Sequence, residues 1–254
     1  VPVPVEIFIP FIFILGLVLG SFANVLIFRM PRKQSIAFPS SNCTSCKTPI
    51  KPYDNIPLAS YIILRGRCRH CGAKISPRYP LVELSTALLF ILLLKYFGLT
   101  SQFAFFAVFT FIMLVHAFID YDYYLLLDKL NIAGLLLGVG ILLISKDLDI
   151  IEGLLGAVVG GGLLGLVYML MLVIFRKEGM GIGDIKTAAM CGLYLGVIGV
   201  IFMFIIASVV GIIWGIGRMM AGKGRMLPFG TMMAPASVIV IFFGDYLSEL
   251  FFAF

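Results

Sequence analysis

Residues 7–28 read IFIPFIFILGLVLGSFANVLIF, a stretch without a charge that ends at Arg29, Pro31, Arg32 and Lys33. A hydrocarbon core about 30 Å thick needs roughly 20 apolar residues to cross it, so this stretch is a membrane span. It is longer than the core of a typical signal peptide, and the Gly, Ser and Asn near its end make a poor small-residue cleavage site. The span is expected to be retained.

The rest of the chain agrees. Of its 254 residues 61% are hydrophobic and 13% charged, against about 45–50% and about 25% in soluble domains. With mean hydropathy at +1.10, a soluble globular enzyme is excluded. Further apolar runs fall at about 81–97, 103–119, 130–145, 153–175, 185–198, 200–217 and 231–252. The expected fold is an all-α polytopic membrane protein of about eight helices. It divides into a first span (1–30), a polar loop (31–80) and a seven-helix membrane domain (81–254). The shortest pair of runs, 185–198 and 200–217, makes one of those helices a candidate to begin below the surface after a non-helical loop, where protein or water covers the backbone. Gly160, Gly161, Gly162 and Gly165 lie inside an apolar run and follow no strand, so they read as helix-packing positions.

Charge sets the orientation. The loop at 31–80 carries Arg32, Lys33, Lys47, Lys51, Arg65, Arg67, Arg69, Lys74 and Arg78 with Asp54 as its only acid, and the positive-inside rule places it in the cytoplasm. The later joints then alternate. Lys129, then Arg176, Lys177 and Lys186, then Arg218, Lys223 and Arg225 fall inside, and of the 19 basic residues only Lys95 and Lys146 fall outside. Both termini are expected outside. The basic excess reports orientation against lipid, and no nucleic-acid partner is expected.

Within the loop, Cys43-x2-Cys46 and Cys68-x2-Cys71 form two knuckles about 20 residues apart, the spacing of a tetrahedral thiolate site for zinc. Disulfides are the alternative, but a cytoplasmic loop lies in a reducing compartment. Four thiolates leave no open position for substrate, so the zinc is structural. His70 then reads as a surface residue and Cys191, alone in an apolar run, as a small core hydrophobe.

Acids at membrane depth are functional hypotheses by default. FIDYDYYLLLD closes the third span with Asp120, Asp122 and Asp128; GMGIGD opens the sixth with Asp184; Glu83 lies just inside the second. Asp120 and Asp184 stand at ends on the same side and are expected to meet. Two facing carboxylates hold one proton between them, which equips one to take a proton from water and the other to protonate a carbonyl. That is aspartyl peptide hydrolysis. Gly179, Gly181 and Gly183 allow an extended substrate strand to approach. Two residues turn a helix by about 200°, so only one of Asp120 and Asp122 can face Asp184; Asp120, nearer the apolar run, is preferred and Asp122 is the reserve. The structural alternative makes these acids interfacial partners of Lys129 and Lys186. A transporter or proton channel is the alternative of a different class, and it predicts acids spread through the membrane or an internal repeat.

Several motifs together resemble one family, the bifunctional type IV prepilin peptidases of bacteria. They are GSFANVLIFRMP at 20–31, the paired C-x2-C motifs, DNIPLASYIILRGRCR at 54–69, ISPRYPLVEL at 75–84, Asp120 with Asp128, GMGIGDIK at 179–186 and LPFGTMMAPA at 227–236. The resemblance implies an inner-membrane enzyme that removes the basic leader of prepilins or pseudopilins after Gly. It further implies methylation of the new N-terminus with S-adenosylmethionine. By residue match the catalytic pair falls on Asp120 and Asp184, with Asp122, Asp128, Gly181, Gly183 and Lys186 supporting. The family usually has Pro before the acid at 128, and here Leu127 stands there, which leaves the local bend open. Residues for the methyl donor are not assigned, and Arg78 and Glu83 mark the region to search first.

Overall fold

The computed structural model describes residues 5–176, 180–221 and 228–252. Among them every regular element is helical: α1 Ile9–Arg29, α2 Ala59–Ile63, α3 Arg78–Phe97, α4 Ser101–Tyr123, α5 Asp128–Ile144, α6 Ile150–Leu170, α7 Ile182–Met220 and α8 Phe229–Phe252. Six helical segments are long and apolar enough to cross a membrane. To these α5 adds 17 residues, and α7, at 39 residues, supplies two passes.

The chain turns within α7 at Gly196, whose φ of 70° and ψ of −176° leave the helical region. Ala188 and Val200 both reach the same point on α6, Gly160. An unbroken helix would hold those two residues about 18 Å apart, so the two legs fold back on one another. The eight expected passes are therefore present, with the reversal two residues before the end expected for the sixth.

Helix ends follow their local chemistry. Asp149 caps α6 by accepting the N–H of Ile151 at 2.8 Å and of Glu152 at 3.4 Å. The α4 helix stops at Tyr124, in the left-handed region at φ 54°. Leu127 is extended and leads directly into α5. The bend before Asp128 thus forms without proline.

Two compact units divide the chain, Val1–Leu99 and Thr100–Phe254. In the first, α1 packs on α3 through its small residues: a Cβ on Gly16 would stand 2.5 Å from Ala87 Cα, and one on Gly20 2.5 Å from Glu83 Cα. Asn24 adds a hydrogen bond to the Tyr79 carbonyl at 3.0 Å. In the second, Phe109, Met113, Met190, Leu193, Met203 and Met233 are fully buried, and Tyr194 stacks on Phe109 at 4.7 Å. Gly156 and Gly192 bring α6 and α7 into backbone contact. Of the glycines expected to pack, Gly160 and Gly161 do so against α7, whereas Gly162 faces open space.

Candidate active site and cysteine cluster

Asp120 sits in the last turn of α4 and is 5% exposed, while Asp122, two residues on, is exposed. This is the outcome of helical rotation anticipated for the pair. Asp120 Oδ2 accepts the backbone N–H of Thr231 at 2.9 Å, and the Thr231 hydroxyl lies 3.3 Å from the same oxygen and 3.0 Å from the Ala117 carbonyl. Gly230 keeps this approach close, since a Cβ there would stand 3.1 Å from Asp120 Oδ2 and 2.7 Å from Leu126 Cδ2, so that both side chains would have to give.

Asp184 occupies the first turn of α7, where its Oδ2 accepts the Gly181 N–H at 3.1 Å. A carboxylate in this position also meets the positive end of the helix. Asp120 is near enough for its charge to act on Asp184. Leu126 bridges the two motifs, because Gly183 abuts its backbone on one side and Gly230 abuts its side chain on the other. Gly183 therefore lets the start of α7 close on the turn after α4. Gly179 lies outside the described residues.

Asp128 has a different place. It accepts from Lys186 Nζ at 2.7 Å in a pair that is about half exposed on both sides. For Asp128 the interfacial ion pair foreseen as the structural alternative is present; for Asp120 and Asp184 no ion pair occurs among the described residues. One turn on from Asp128 in α5, and next to Lys186 in α7, Asn131 and Thr187 are buried and share a hydrogen bond of 3.0 Å. Neither Thr231 nor this second link was singled out from sequence. Thr231 lies inside LPFGTMMAPA, one of the motifs that carry the family resemblance.

The four cysteines of the loop are unbridged, and their sulfurs all lie within 4.8 Å of one another, with Cys43 Sγ and Cys71 Sγ 3.9 Å apart. Tetrahedral zinc with Zn–S bonds of about 2.3 Å sets its sulfurs roughly 3.8 Å apart, so the cluster fits that ion. The two knuckles have matching turns. Cys43 N–H donates to Thr48 O and Lys47 N–H to Cys43 O; Cys68 N–H donates to Ala73 O and Gly72 N–H to Cys68 O. Lys47 and Gly72 both take positive φ. The Thr48 hydroxyl and backbone bring the Cys46 thiol down to about 6. The N–H groups of Cys71 and His70 also lower Cys68. At Cys71 the Ala73 N–H favours the thiolate, but desolvation and the three neighbouring sulfurs outweigh it and push the group up to about 11. Four crowded sulfurs resist joint ionisation, which is the conflict a divalent cation resolves. His70 is exposed and Cys191 buried, as expected.

Beside this cluster the first unit holds a cleft of about 1370 Å³, bounded by α1, the loop and the start of α3. Its two carboxylates differ. Asp54 is clamped by Arg69, whose Nε and Nη2 reach it at 2.7 to 3.0 Å. That guanidinium holds Asp54 below the usual carboxylate range and is itself raised by the carboxylate. Glu83 is 7% exposed and accepts the Leu58 N–H at 2.7 Å.

Residues 14–97 match the Bacterial Peptidase A24 N-terminal domain, and residues 107–216 match the Type IV leader peptidase family. A prepilin leader peptidase/N-methyltransferase of Pseudomonas aeruginosa is 35% identical over 95% of this chain and 92% of its own length. The chain belongs to the type IV leader peptidase family. A second member with that name, from Myxococcus xanthus, is 39% identical over 87% of this chain and 66% of its own length. A third, from Pseudomonas putida, is 32% identical over 94% and 91%. No solved structure matches the chain at a significant level. Nothing among these family members supports the ion-transport reading.

Proposed function

We propose that this chain is a membrane aspartyl endopeptidase that removes the basic leader from type IV prepilins or secretion-system pseudopilins after Gly, with Asp120 and Asp184 as its catalytic pair. The supporting observation is that two carboxylates from separate helices come within electrostatic reach with no cationic partner among the described residues, each anchored through one oxygen by a backbone N–H. The second oxygen of each acid is then the one that exchanges protons. One carboxylate draws a proton from water as the water oxygen attacks the scissile carbonyl, and the protonated partner gives its proton to the carbonyl oxygen. Asp128 and Lys186 form an exposed link between the starts of α5 and α7. Asp122 is the reserve candidate, less favoured because it is exposed.

Cys43, Cys46, Cys68 and Cys71 are the proposed ligands of one structural zinc, which orders the loop. S-adenosylmethionine is the proposed donor for methylation of the new N-terminus, and the cleft beside the zinc loop has the room and the polar lining to take it. Basic residues concentrated at one set of joints favour a multi-pass protein of the bacterial inner membrane, with loop and acids facing the cytoplasm and both termini outside. Incubation of the purified protein with a prepilin carrying a Gly-Phe junction, followed by mass spectrometry of the mature N-terminus, reads cleavage and methylation together. An intact precursor would overturn the proposal.

A further inference from the structure

Glu83 is a buried acid of the first unit that the peptidase chemistry leaves unused. It stands one turn into α3 with its Cα against Gly20 of α1, so its backbone is fixed by close helix packing. Its Oε2 accepts the Leu58 N–H at 2.7 Å. Leu58 itself sits at φ 61° and ψ −50°, and the Ala59 N–H returns to the Pro57 carbonyl at 2.6 Å. That is a three-residue turn in its rare, strained form. Strain of this kind costs on the order of 1–3 kcal/mol, and it persists where surrounding structure imposes it, commonly at binding sites.

The charge around Glu83 is lopsided. Arg29, Lys47, Lys51, Arg69 and Lys74 all line the cleft, yet none is paired with it among the described residues, and the only other carboxylate in the lining is already clamped by Arg69. A buried carboxylate without a counter-ion is costly and is stabilised by a cation brought to it. Phe22, Phe38, Tyr61 and Tyr79 supply apolar and aromatic surface in the same cleft. The volume exceeds the roughly 300–1,000 Å³ of a pocket for one small ligand, which leaves room for a donor and the end of a peptide together.

Building on the methyltransferase reading, we infer that this cleft is the methyl-donor site and that Glu83 recognises the positive charge of the donor's sulfonium. Transfer forms an N–C bond from the amine lone pair as the C–S bond breaks. The electron pair stays on sulfur, and the methylated nitrogen sheds its proton to water. Sulfur thereby loses its charge, so Glu83 distinguishes the loaded donor from the spent thioether and its attraction lapses after transfer.

The test is equilibrium binding of S-adenosylmethionine and of S-adenosylhomocysteine to the full-length protein in detergent, without peptide, so that no acceptor ammonium contributes. Glu83→Gln is expected to weaken the sulfonium ligand while binding the thioether within about twofold of the parent protein, so that their Kd ratio shifts by about tenfold, equivalent to roughly 1.4 kcal/mol. Glu83→Asp should recover part of that ratio. An unchanged ratio in the Gln variant, or equal loss of both ligands in both variants, would assign Glu83 a structural role and overturn the inference. A parent protein that binds neither ligand and leaves cleaved pilin unmethylated would instead remove the methyltransferase reading on which the inference rests.

Discussion

Thr231 reaches Asp120 across 111 positions of sequence, its N–H donating to Asp120 Oδ2 at 2.9 Å from the first turn of α8 to the last turn of α4. The contact orients a buried acid through a backbone group that no substitution other than proline removes directly. The Thr231 hydroxyl is a second, weaker hold. Thr231→Val is therefore expected to slow leader cleavage by only a few-fold to about tenfold, since the backbone bond persists. Steady-state kinetics on a prepilin peptide measures it.

Asp120→Asn and Asp184→Asn should each lower cleavage by at least about 10²–10⁴-fold while the protein still accumulates in the membrane, because each removes a proton-transfer group. Asp122→Asn, on the exposed side of the same turn, should keep most of its activity. A dead Asp122 variant beside an active Asp120 variant would reverse the assignment.

Gly230→Ala tests crowding. The new Cβ would meet Leu126 Cδ2 at 2.7 Å and Asp120 Oδ2 at 3.1 Å, and a catalytic group displaced by about 1 Å costs up to about 10²-fold. The expected result is a fall in kcat with normal expression, and parent-like kcat would show that Leu126 yields without disturbing the acid.

Cleavage should follow a bell-shaped pH profile, because one proton shared by two carboxyl groups can be lost or joined by a second, and either change stops the reaction. The two limbs belong to the coupled pair. A plateau at high pH would indicate a single general base.

Metal retention carries its own pH dependence. Cys71, pushed up to about 11, is protonated near neutrality and must release its proton when zinc binds. The zinc-bound form therefore holds fewer protons, and apparent affinity rises with pH. Competition with a chelator between about pH 6.5 and 8 should give at least about a tenfold gain per unit. Cys71→Ser should release the metal.

The exposed pair of Asp128 and Lys186 is expected to matter little. Asp128→Asn should destabilise the protein by about 0.2–1 kcal/mol, as exposed ion pairs do, and thermal unfolding in detergent reads that difference.

What could be read from sequence was what local pattern encodes. Runs of apolar residues gave the passes, the C-x2-C spacing gave the sulfur cluster, and a rotation of about 200° separated Asp120 from Asp122. What stayed hidden depends on chain segments meeting from afar. The Leu58 N–H at Glu83 and the Thr231 N–H at Asp120 belong to residues without charge or reactive chemistry, so although both lie in motifs shared with the family, their local chemistry does not announce the contact. The bend before Asp128 shows the converse, since Tyr124 in the left-handed region and an extended Leu127 reverse the chain where a proline was looked for.

The reversal at Gly196 has a topological meaning. A chain that leaves a membrane face through one leg and returns through the next delivers its following segment to the face it left, so Asp184 before the turn and Thr231 after it arrive on the same shore. The face that holds Asp184 and Thr231 is thus assembled by parity, and Gly196 is the point that sets it even though it touches neither acid. Replacing that turn with a continuing helix would leave both acids where they are and strand Thr231 on the opposite side.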